Sequence, residues 1–444
     1  MQVVVVGAGE VGFNVAQMLS QEGHEVVVVD EDAKRVAQVA DQLDALVMRG
    51  NGASPKVLDE AGIKKTDLVV AATNLDEVNI TSCLAAKHHG VERTVARIHD
   101  PDYYPEDPSF AKDVLGIDFV IHTEQVAAEE IKAALLVPGA INVDTFAGGR
   151  IEVAEVVLQE DSPAVGCSVR DVGLPERALI LGGVRNGEPL MSRGDTVLDA
   201  EDHIFLIAEH DYISESVSTV TSDTEPVEDV IILGGGRIGL RLALALEDLV
   251  SLKVVEGNAE RAKYVATQLE NGLVIHESDL SRDFLVREAA GNTDAFIAMT
   301  SDDRTNMLAS MYARQLGSRL TIAGINRGEF SPLAEKLGVD ITVSPRLLAA
   351  GAISRFVRRG DVVAVSLLES GAQMIELRVP EKCVVAGQPL SELNFPKEAI
   401  VGMVLRDDET IIPKGQDVLE PGDDVVVFTT NTTVEKVENL FSSS

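Results

Sequence analysis

A glycine-rich turn near the start of the chain has residue types and spacing that suit phosphate binding. It matches the pattern GxGxxG at Gly7-Ala8-Gly9-Glu10-Val11-Gly12. In this pattern the first glycine permits a tight turn, the second lets the backbone approach a pyrophosphate, and the third lets a helix pack close to a strand. The N–H groups at the start of that helix can then bind the phosphate. The turn therefore indicates a nucleotide site.

An acidic residue follows where the ribose of such a nucleotide would lie. Residues 26–29 are all valine, and Asp30 comes directly after them. Its carboxylate can accept hydrogen bonds from both ribose hydroxyls, and it would repel a 2′-phosphate. A GxGxxG pattern alone is weak evidence, because glycine turns are common. Here the valine runs at 3–6 and 26–29 predict both flanking strands, so the dinucleotide-binding fingerprint is in its required context.

The same pattern recurs in the second half of the chain. Strand-like runs at 230–233 and 252–255 flank a second glycine turn and end on a second acid. The candidate binding residues of this copy are Gly234, Gly235, Gly236, Arg237, Ile238 and Glu256. Polar residues also repeat in step, with Thr73, Asp76 and Asn79 corresponding to Thr300, Asp303 and Asn306.

The segments that follow the two glycine-turn regions repeat as well. Glu155, Gly166, Pro175, Arg185, Gly194 and Asp202 correspond to Glu376, Gly387, Pro396, Arg406, Gly415 and Asp423. A self-similarity of this length predicts four domains in the order A-B-A-B. We place the first pair at 1–123 and 124–213 and the second pair at 229–344 and 345–444. The polar, acidic stretch 214–228 reads as a linker between the halves.

Strand and helix patterns alternate in each A domain, which predicts an α/β fold with a doubly wound parallel sheet. Each B domain has short strand-like runs broken by turns, and we expect a small α+β domain. In doubly wound sheets the ligand lies at the carboxyl ends of the strands. Gly7, Asp30, Thr73 and Arg97 all fall at or near such ends, so one cleft could collect them.

Composition restricts the class of protein. The chain has 444 residues and a formal net charge of −34, which argues against a nucleic-acid or anionic-lipid surface. The acidity fits either a high-salt cytoplasm or an ordinary solvated exterior. No run reaches the roughly 18 apolar residues of a membrane span, and Met1 leaves no room for a targeting segment, so we expect no direct membrane insertion. Three distant cysteines without metal or disulfide spacing favour a cytoplasmic location and no metal site.

Each half resembles a unit of the RCK/KTN family, the domains that regulate potassium channels and transporters. The motifs that carry the resemblance are GAGEVG with Asp30, RGNGASPKVLDEAG, ATNLDEVN and ARI in the first half. In the second half they are GGGRIG with Glu256, MTSDDRTN and the VRRGD sequence at 357–361. Two such units in one chain resemble the TrkA family, the peripheral nucleotide-binding subunits of Trk potassium uptake systems. The resemblance covers nearly the whole chain.

The resemblance implies a function and a set of partners. Such subunits assemble as a ring, a homotetramer, beneath an integral-membrane potassium-translocating subunit, and nucleotides in the Rossmann clefts gate potassium flux. The implied cofactor is NAD(H), with ATP or ADP as a further ligand, and the implied location is the inner face of the cell membrane. Carried over residue by residue, the first site is Gly7, Ala8, Gly9, Glu10, Val11, Asp30, Thr73, Asn74 and Arg97. The second is Gly234, Gly235, Gly236, Arg237, Ile238, Glu256, Thr300 and Ser301.

The two sites differ in charge. Arg97 corresponds to Gly324, so the second site lacks that cation, whereas Arg237 replaces Glu10 inside the glycine turn. A cation in the turn suits a phosphate-rich ligand such as ATP or ADP, and a glutamate suits a less charged one such as NAD(H). We therefore hypothesise unequal nucleotide preference, with the phosphate-rich ligand in the second site.

Two other functions fit parts of the sequence. One is a nucleotide sensor for another cation channel or antiporter, which a neighbouring reading frame or a co-purifying membrane protein would reveal. The other is a nicotinamide-dependent dehydrogenase. Against an enzyme, no acid–base pair lies where hydride transfer would need one, and we expect no catalytic residues.

Overall fold

The computed structural model describes residues 1–442 apart from 22, 101–102, 104–107, 223, 279–280, 289–292, 328–329, 358–361, 368–371, 408 and 431. Most of the VRRGD sequence and Tyr104 lie outside the described residues. By its internal contacts the chain forms two compact units. The first comprises Met1–Ala127, Ile325–Ser331 and Ser344–Val357. The second comprises Ala128–Gly324, Pro332–Val343 and Arg358–Ser444.

The first sheet has six parallel strands in the order β3-β2-β1-β4-β5-β6. They are β1 (Gln2–Val6), β2 (Glu25–Asp30), β3 (Leu46–Arg49), β4 (Leu68–Ala71), β5 (Arg93–Arg97) and β6 (Phe119–Ile121). The associated helices are α1 (Glu10–Gln21), α2 (Ala33–Gln42), α3 (Pro55–Glu60), α4 (Asp76–His88), α5 (Pro108–Asp113) and α6 (Thr123–Leu136).

The valine run of β1 explains why both faces of this sheet are buried. Val3 and Val5 are buried in one core, with α1, and Val4 and Val6 are buried in another, with α4. A strand that is apolar on both faces requires cover on both sides. The helices supply that cover, and the doubly wound α/β fold predicted from the sequence is confirmed.

The first small domain follows as an antiparallel sheet in the order β10-β9-β11-β8-β7. Its elements are β7 (Asn142–Phe146), β8 (Ile151–Val157), β9 (Ala178–Arg185), β10 (Glu188–Met191), β11 (His203–Glu209) and the helix α7 (Ile213–Val220).

The helix α7 corrects one sequence-based interpretation. Residues 214–228 were expected to be a linker, but their first part is helical, and Ile213, Val217 and Val220 are buried in the core of the first small domain. Their spacing puts all three on one face of a helix. Because the residues between them are mostly serine and threonine, the segment has a polar average composition that does not show this apolar stripe.

The second parallel sheet repeats the first, in the order β14-β13-β12-β15-β16-β17. Its strands are β12 (Asp229–Leu233), β13 (Ser251–Glu256), β14 (Leu273–His276), β15 (Ala295–Ala298), β16 (Leu320–Gly324) and β17 (Ile341–Val343). The helices are α8 (Arg237–Leu246), α9 (Ala259–Gln268), α10 (Arg282–Arg287), α11 (Asp303–Leu316), α12 (Ser331–Lys336) and α13 (Pro345–Val357).

The second small domain has the sheet order β18-β19-β22-β20-β21. It contains β18 (Val362–Leu367), β19 (Ala372–Arg378), β20 (Ala399–Arg406), β21 (Glu409–Ile411), β22 (Asp424–Thr430) and α14 (Val434–Phe441). This is the strand order of the first small domain, and each small sheet is followed by one short helix. The duplicated architecture inferred from the repeats is therefore present at the level of topology.

The two small sheets share an apolar core within the second unit. Phe205 and Phe428 lie with ring centroids 5.7 Å apart in a cluster to which both sheets contribute. Glu376 at this contact accepts a hydrogen bond from the Ala147 N–H at 3.0 Å. Burial, only partly offset by that hydrogen bond, raises the pKa of the Glu376 carboxyl.

Helix α13 packs within the first unit, although it follows the second parallel sheet in sequence. Ala349, Ala350 and Ile353 are buried in the core that surrounds α1. Phe356 stacks on Phe119 with ring centroids 5.0 Å apart, and its carbonyl accepts a hydrogen bond from Arg93 Nη1 at 3.1 Å. The first parallel sheet is thus covered in part by a helix from the second half of the sequence.

No helix within the described residues combines the length and the apolar composition needed to cross a membrane.

Candidate functional site

The first glycine turn connects β1 to α1 and has the geometry that the sequence requires. Gly7 has a φ of +102°, which strongly favours glycine, and its N–H donates to the Val29 carbonyl at 2.8 Å. A Cβ on Gly12 would collide with the carbonyl oxygen of Gly7. Both glycines are therefore required by close backbone approach, and α1 begins directly after the turn, at Glu10, where the first N–H groups of a helix can bind an anion.

Asp30 holds this turn against the end of β2. Its side chain is nearly buried and accepts hydrogen bonds from the N–H groups of Ala8 at 2.6 Å and Asp32 at 2.8 Å. The Arg35 guanidinium lies 3.8 Å from the same carboxylate. A carboxylate has about four acceptor positions, so Asp30 retains acceptor capacity while it fixes the turn.

A buried asparagine positions the next strand ends. Asn79 is fully buried; its Oδ1 accepts from the Thr73 N–H at 2.9 Å and the Thr73 hydroxyl at 2.7 Å. Its Nδ2 donates to the carbonyl of Arg97 at 2.7 Å. The Thr73 methyl would lie 3.0 Å from a Cβ placed on Gly7. Asn79 therefore joins the β4 and β5 ends beside the glycine turn, a role that its recurrence as Asn306 could have indicated.

A cavity of about 890 Å³ opens at this edge of the first sheet. Its volume falls within the range of about 300–1,000 Å³ typical of small-molecule sites. Six of the nine residues predicted for the first site line it, and Gly7, Asp30 and Thr73 support them from the turn and the neighbouring strand ends. The predicted residues in the wall are Ala8, Gly9, Glu10, Val11, Asn74 and Arg97.

The second half of the sequence supplies part of the same wall. The additional lining residues from that half are Asn326, Arg327, Arg346 and Leu347. Arg346, near the start of α13, forms an ion pair with Glu10, and its Nη1 lies 3.5 Å from the Asn326 carbonyl oxygen. Burial lowers the pKa of the Arg346 guanidinium. Local patterns could not reveal these residues, because they are more than three hundred positions from the turn.

Asp76, in the first turn of α4, is buried rather than exposed to solvent. Its carboxylate binds His99 Nδ1 at 2.7 Å and the N–H groups of His99 at 3.0 Å and Asp100 at 2.8 Å. Burial opposes ionisation, but the hydrogen bonds from His99 and Asp100 outweigh it, so the pKa of Asp76 lies below its ordinary value.

The second glycine turn, in the second unit, repeats the backbone arrangement of the first. Gly234 has a φ of +107°, and a Cβ on Gly239 would collide with the Gly234 carbonyl. Glu256 accepts from the N–H groups of Gly235 at 2.8 Å and Asn258 at 2.7 Å. Of the other residues predicted for this site, Arg237 and Ser301 are exposed, Ile238 and Thr300 are partly exposed, and Gly236 is the N-cap of α8.

The asparagine arrangement recurs as well. Asn306 binds the Thr300 N–H at 2.9 Å and the Thr300 hydroxyl at 2.6 Å, and its Nδ2 donates to the carbonyl of Gly324 at 2.8 Å. Gly324 thus occupies the position that Arg97 has in the first cleft. The second cleft has no side chain where the first has a guanidinium.

Comparison with known proteins identifies both kinds of domain. A family model described as the TrkA-N domain matches residues 3–123 and 230–345, and a TrkA-C domain model matches 153–216 and 374–442. The exact first and last residues that we predict for the A domains, 1–123 and 229–344, remain a proposal.

Curated relatives match over almost their full length. The Trk system potassium uptake protein TrkA homolog 2 of Methanosarcina mazei is 34% identical over 453 residues, covering 99% of this chain and 100% of the relative. The protein named Trk system potassium uptake protein TrkA in Azorhizobium caulinodans is 34% identical over 456 residues, covering 100% of this chain and 99% of the relative.

Solved structures share the fold at low sequence identity. The structure titled "GsuK channel bound to NAD" has a TM-score of 0.65 at 16% identity, and the match covers 99% of this chain and 78% of that one. The structure titled "Crystal structure of the GsuK bound to ADP" has a TM-score of 0.51 at 14% identity, covering 80% and 68%.

Proposed function

Because the chain belongs to the TrkA family, we propose that it is the nucleotide-sensing regulatory subunit of a Trk-type potassium uptake system. One observation carries the nucleotide part of this proposal. In both halves an acid at the end of the second strand accepts from an N–H of the glycine turn. In the first half this arrangement borders a cavity of about 890 Å³.

The ligands we propose are NAD(H) and the adenine nucleotides ATP and ADP. Asp30 and Glu256 each end the second strand of their sheet, as the ribose-binding acid does in dinucleotide folds, and the N–H groups at the start of α1 would bind the phosphates. Both acids would disfavour a 2′-phosphate, so NADPH should bind less well than NADH. The structural neighbours GsuK bound to NAD and GsuK bound to ADP support the same ligand classes.

The proposed action is regulation by a shift of population. A nucleotide changes a conformational equilibrium only by its different affinity for the two states. A tenfold difference in affinity shifts the equilibrium tenfold, about 1.4 kcal/mol. We propose that the chain is a homotetramer at the inner face of the cell membrane, that it binds the potassium-translocating subunit there, and that it has no catalytic role.

Calorimetric titration of the purified chain with NADH, NAD⁺, NADPH, ATP and ADP tests the nucleotide part. We expect binding in the nanomolar-to-micromolar range, weaker for NADPH. Asp30→Ala and Glu256→Ala should each lower the affinity of their own cleft at least tenfold, since each loses a ribose acceptor and a bond to the turn. Asp32→Ala is the matched control, because Asp32 caps α2 through the Lys34 N–H.

If none of the five nucleotides binds, the proposal is overturned. For the transport part, the chain is added to vesicles that contain the co-purified membrane subunit, and potassium flux is measured with and without nucleotide. Flux that does not respond to the chain would contradict the regulatory assignment.

A further inference from the structure

We propose that Arg346, from the second half of the sequence, binds the terminal phosphate of a nucleoside triphosphate in the first cleft. The Glu10 carboxylate competes with that phosphate for Arg346. This inference rests on the proposed function and specifies the ligand of one of its two sites. It assigns the phosphate-rich ligand to the first cleft, the reverse of the preference expected from the sequence.

The charge of the cavity wall supports this assignment. Among the residues that the structure describes, four arginines and one acidic residue, Glu10, line the cavity. The arginines are Arg35, Arg97, Arg327 and Arg346. Arg346 pairs with Glu10 and Arg35 lies 3.8 Å from Asp30, yet four arginines around one cavity in a chain with a net charge of −34 favour an anionic ligand. A triphosphate concentrates its charge at one end, whereas a dinucleotide has its two phosphates in the middle.

The position of Arg346 fits the end of such a ligand. The backbone N–H groups of the glycine turn would take the first phosphates, and the side chain of Glu10 projects from the first residue of α1. Arg346 binds that carboxylate. A guanidinium binds phosphate oxygens and carboxylate oxygens with the same bidentate geometry. The Glu10 carboxylate therefore stands in for the terminal phosphate of a bound triphosphate.

The exposure of the two partners favours exchange. The Glu10 side chain is 56% exposed and the Arg346 side chain 26% exposed. Glu10 can therefore turn into solvent at low cost, whereas the half-buried guanidinium retains its need for an anion. A phosphate with more charge than a carboxylate should displace Glu10.

Helix α13 is fixed independently of the ion pair. Ala349, Ala350 and Ile353 are buried in the core of the first parallel sheet, and Phe356 stacks on Phe119. Removing either charge should thus leave the helix in place. The ligand would contact residues from both halves of the sequence, and Arg346 would exchange Glu10 for the phosphate while α13 stays in place.

Equivalent positions of the two halves carry opposite charges at both places. Glu10 corresponds to Arg237 within the glycine turn, and Arg346 corresponds to Glu124, the second residue of the helix after the sixth strand. The duplication has therefore changed both charges together. This is the pattern expected if the acid and the arginine act as a pair.

Affinities of ATP, ADP, AMP and NADH for the full chain test the proposal, with the variants Arg346→Gln and Glu10→Gln. Arg346→Gln should weaken ATP at least tenfold and leave AMP and NADH within about twofold. Glu10→Gln should strengthen ATP severalfold, because the competing carboxylate is gone. Arg177→Gln removes an arginine from a surface pair with Glu209 and is the control for the loss of charge.

The opposite signs of the two variants are decisive. A purely structural ion pair would make both variants change ATP affinity in the same direction, and that result would overturn the inference. An unchanged ratio of ATP to AMP affinity in Arg346→Gln would also overturn it. If Arg346→Gln does not fold, the same affinities are measured for Glu10→Gln and Arg327→Gln instead. Failure of every nucleotide to bind the unchanged chain would instead remove the proposed function itself.

Discussion

The first and second glycine clefts have nearly the same backbone and different charged surroundings. In both, a glycine with positive φ begins the turn, an acid holds the turn, and a buried asparagine joins two strand ends. The first cleft adds Arg97 and, from a distant segment, Arg346, whereas the second has Gly324 in place of Arg97 and Arg237 in place of Glu10. Duplication has thus preserved the hydrogen bonds of the backbone and changed the side chains that would select a ligand.

The largest effect should come from the buried asparagines, and it should be equal in the two clefts. Asn79→Ala leaves the Thr73 N–H and the Arg97 carbonyl without their partner, and Asn306→Ala does the same in the second cleft. Each buried group left unsatisfied costs about 1–3 kcal/mol. We expect each variant to lower the free energy of unfolding by about 3 kcal/mol in urea titrations.

Unequal losses would show that the two clefts are not equivalent in their backbone. Asn186→Ala would not serve as a control, because that residue has a positive φ. Asn51→Ala is suitable, since Asn51 is exposed and its side chain binds only the local Ala53 N–H among the contacts described. It should change the free energy of unfolding by less than about 1 kcal/mol.

A smaller effect is expected from the third glycine of each turn. In Gly12→Ala and Gly239→Ala the new Cβ meets the carbonyl oxygen of the first glycine, so helix and turn must separate. Overpacking of this kind costs about 1–3 kcal/mol, and nucleotide binding at that cleft should fall with it. Thermal unfolding and calorimetry on the same variants measure both quantities.

Gly351→Ala provides the matched control for these two variants. It lies inside α13 with open space around a new Cβ. Alanine is favoured over glycine in a helix by about 0.5–1 kcal/mol, so this variant should be neutral or slightly stabilised. If Gly12→Ala were equally neutral, the close approach of helix and strand would not be a constraint.

The smallest effect concerns Asp76 and sharpens the contrast between the halves. Its pKa is lower in the folded protein than the ordinary value of 3.8, so its ionised form stabilises the fold at neutral pH. That contribution is complete above about pH 5 and fades as the pH falls through the folded pKa. The difference in unfolding free energy between the unchanged chain and Asp76→Asn should therefore shrink below pH 3.8.

Asp303→Asn is the comparison from the second half. Asp303 is partly exposed, and Asn326 stands where the first half has His99. We expect a smaller pH-dependent difference for this variant, as measured by urea unfolding between pH 3 and pH 7. A larger pH-dependent difference for Asp303→Asn than for Asp76→Asn would mean that the ionised acid of the second half, not that of the first, contributes more to stability.

The sequence by itself determined the duplicated α/β fold, both glycine turns and the acids that hold them. These features depend on residues close together in the chain: a valine run, a glycine spacing and a carboxylate at the end of the next strand. The correspondence of Arg97 with Gly324 could also be recognised from the sequence, because the repeats align the two halves. In the structure Asn79 and Asn306 bind those two carbonyls.

Only the tertiary structure decided which further residues reach the first cleft. Arg346 binds Glu10 because the apolar face of α13 covers the first sheet rather than the sheet it follows in sequence. The burial of Asp76 depends likewise on the distant His99, and the helical start of the supposed linker depends on a core that receives Val217 and Val220. Local residue patterns fix the turns and strands, whereas the charge around a cleft depends on which distant segment packs beside it.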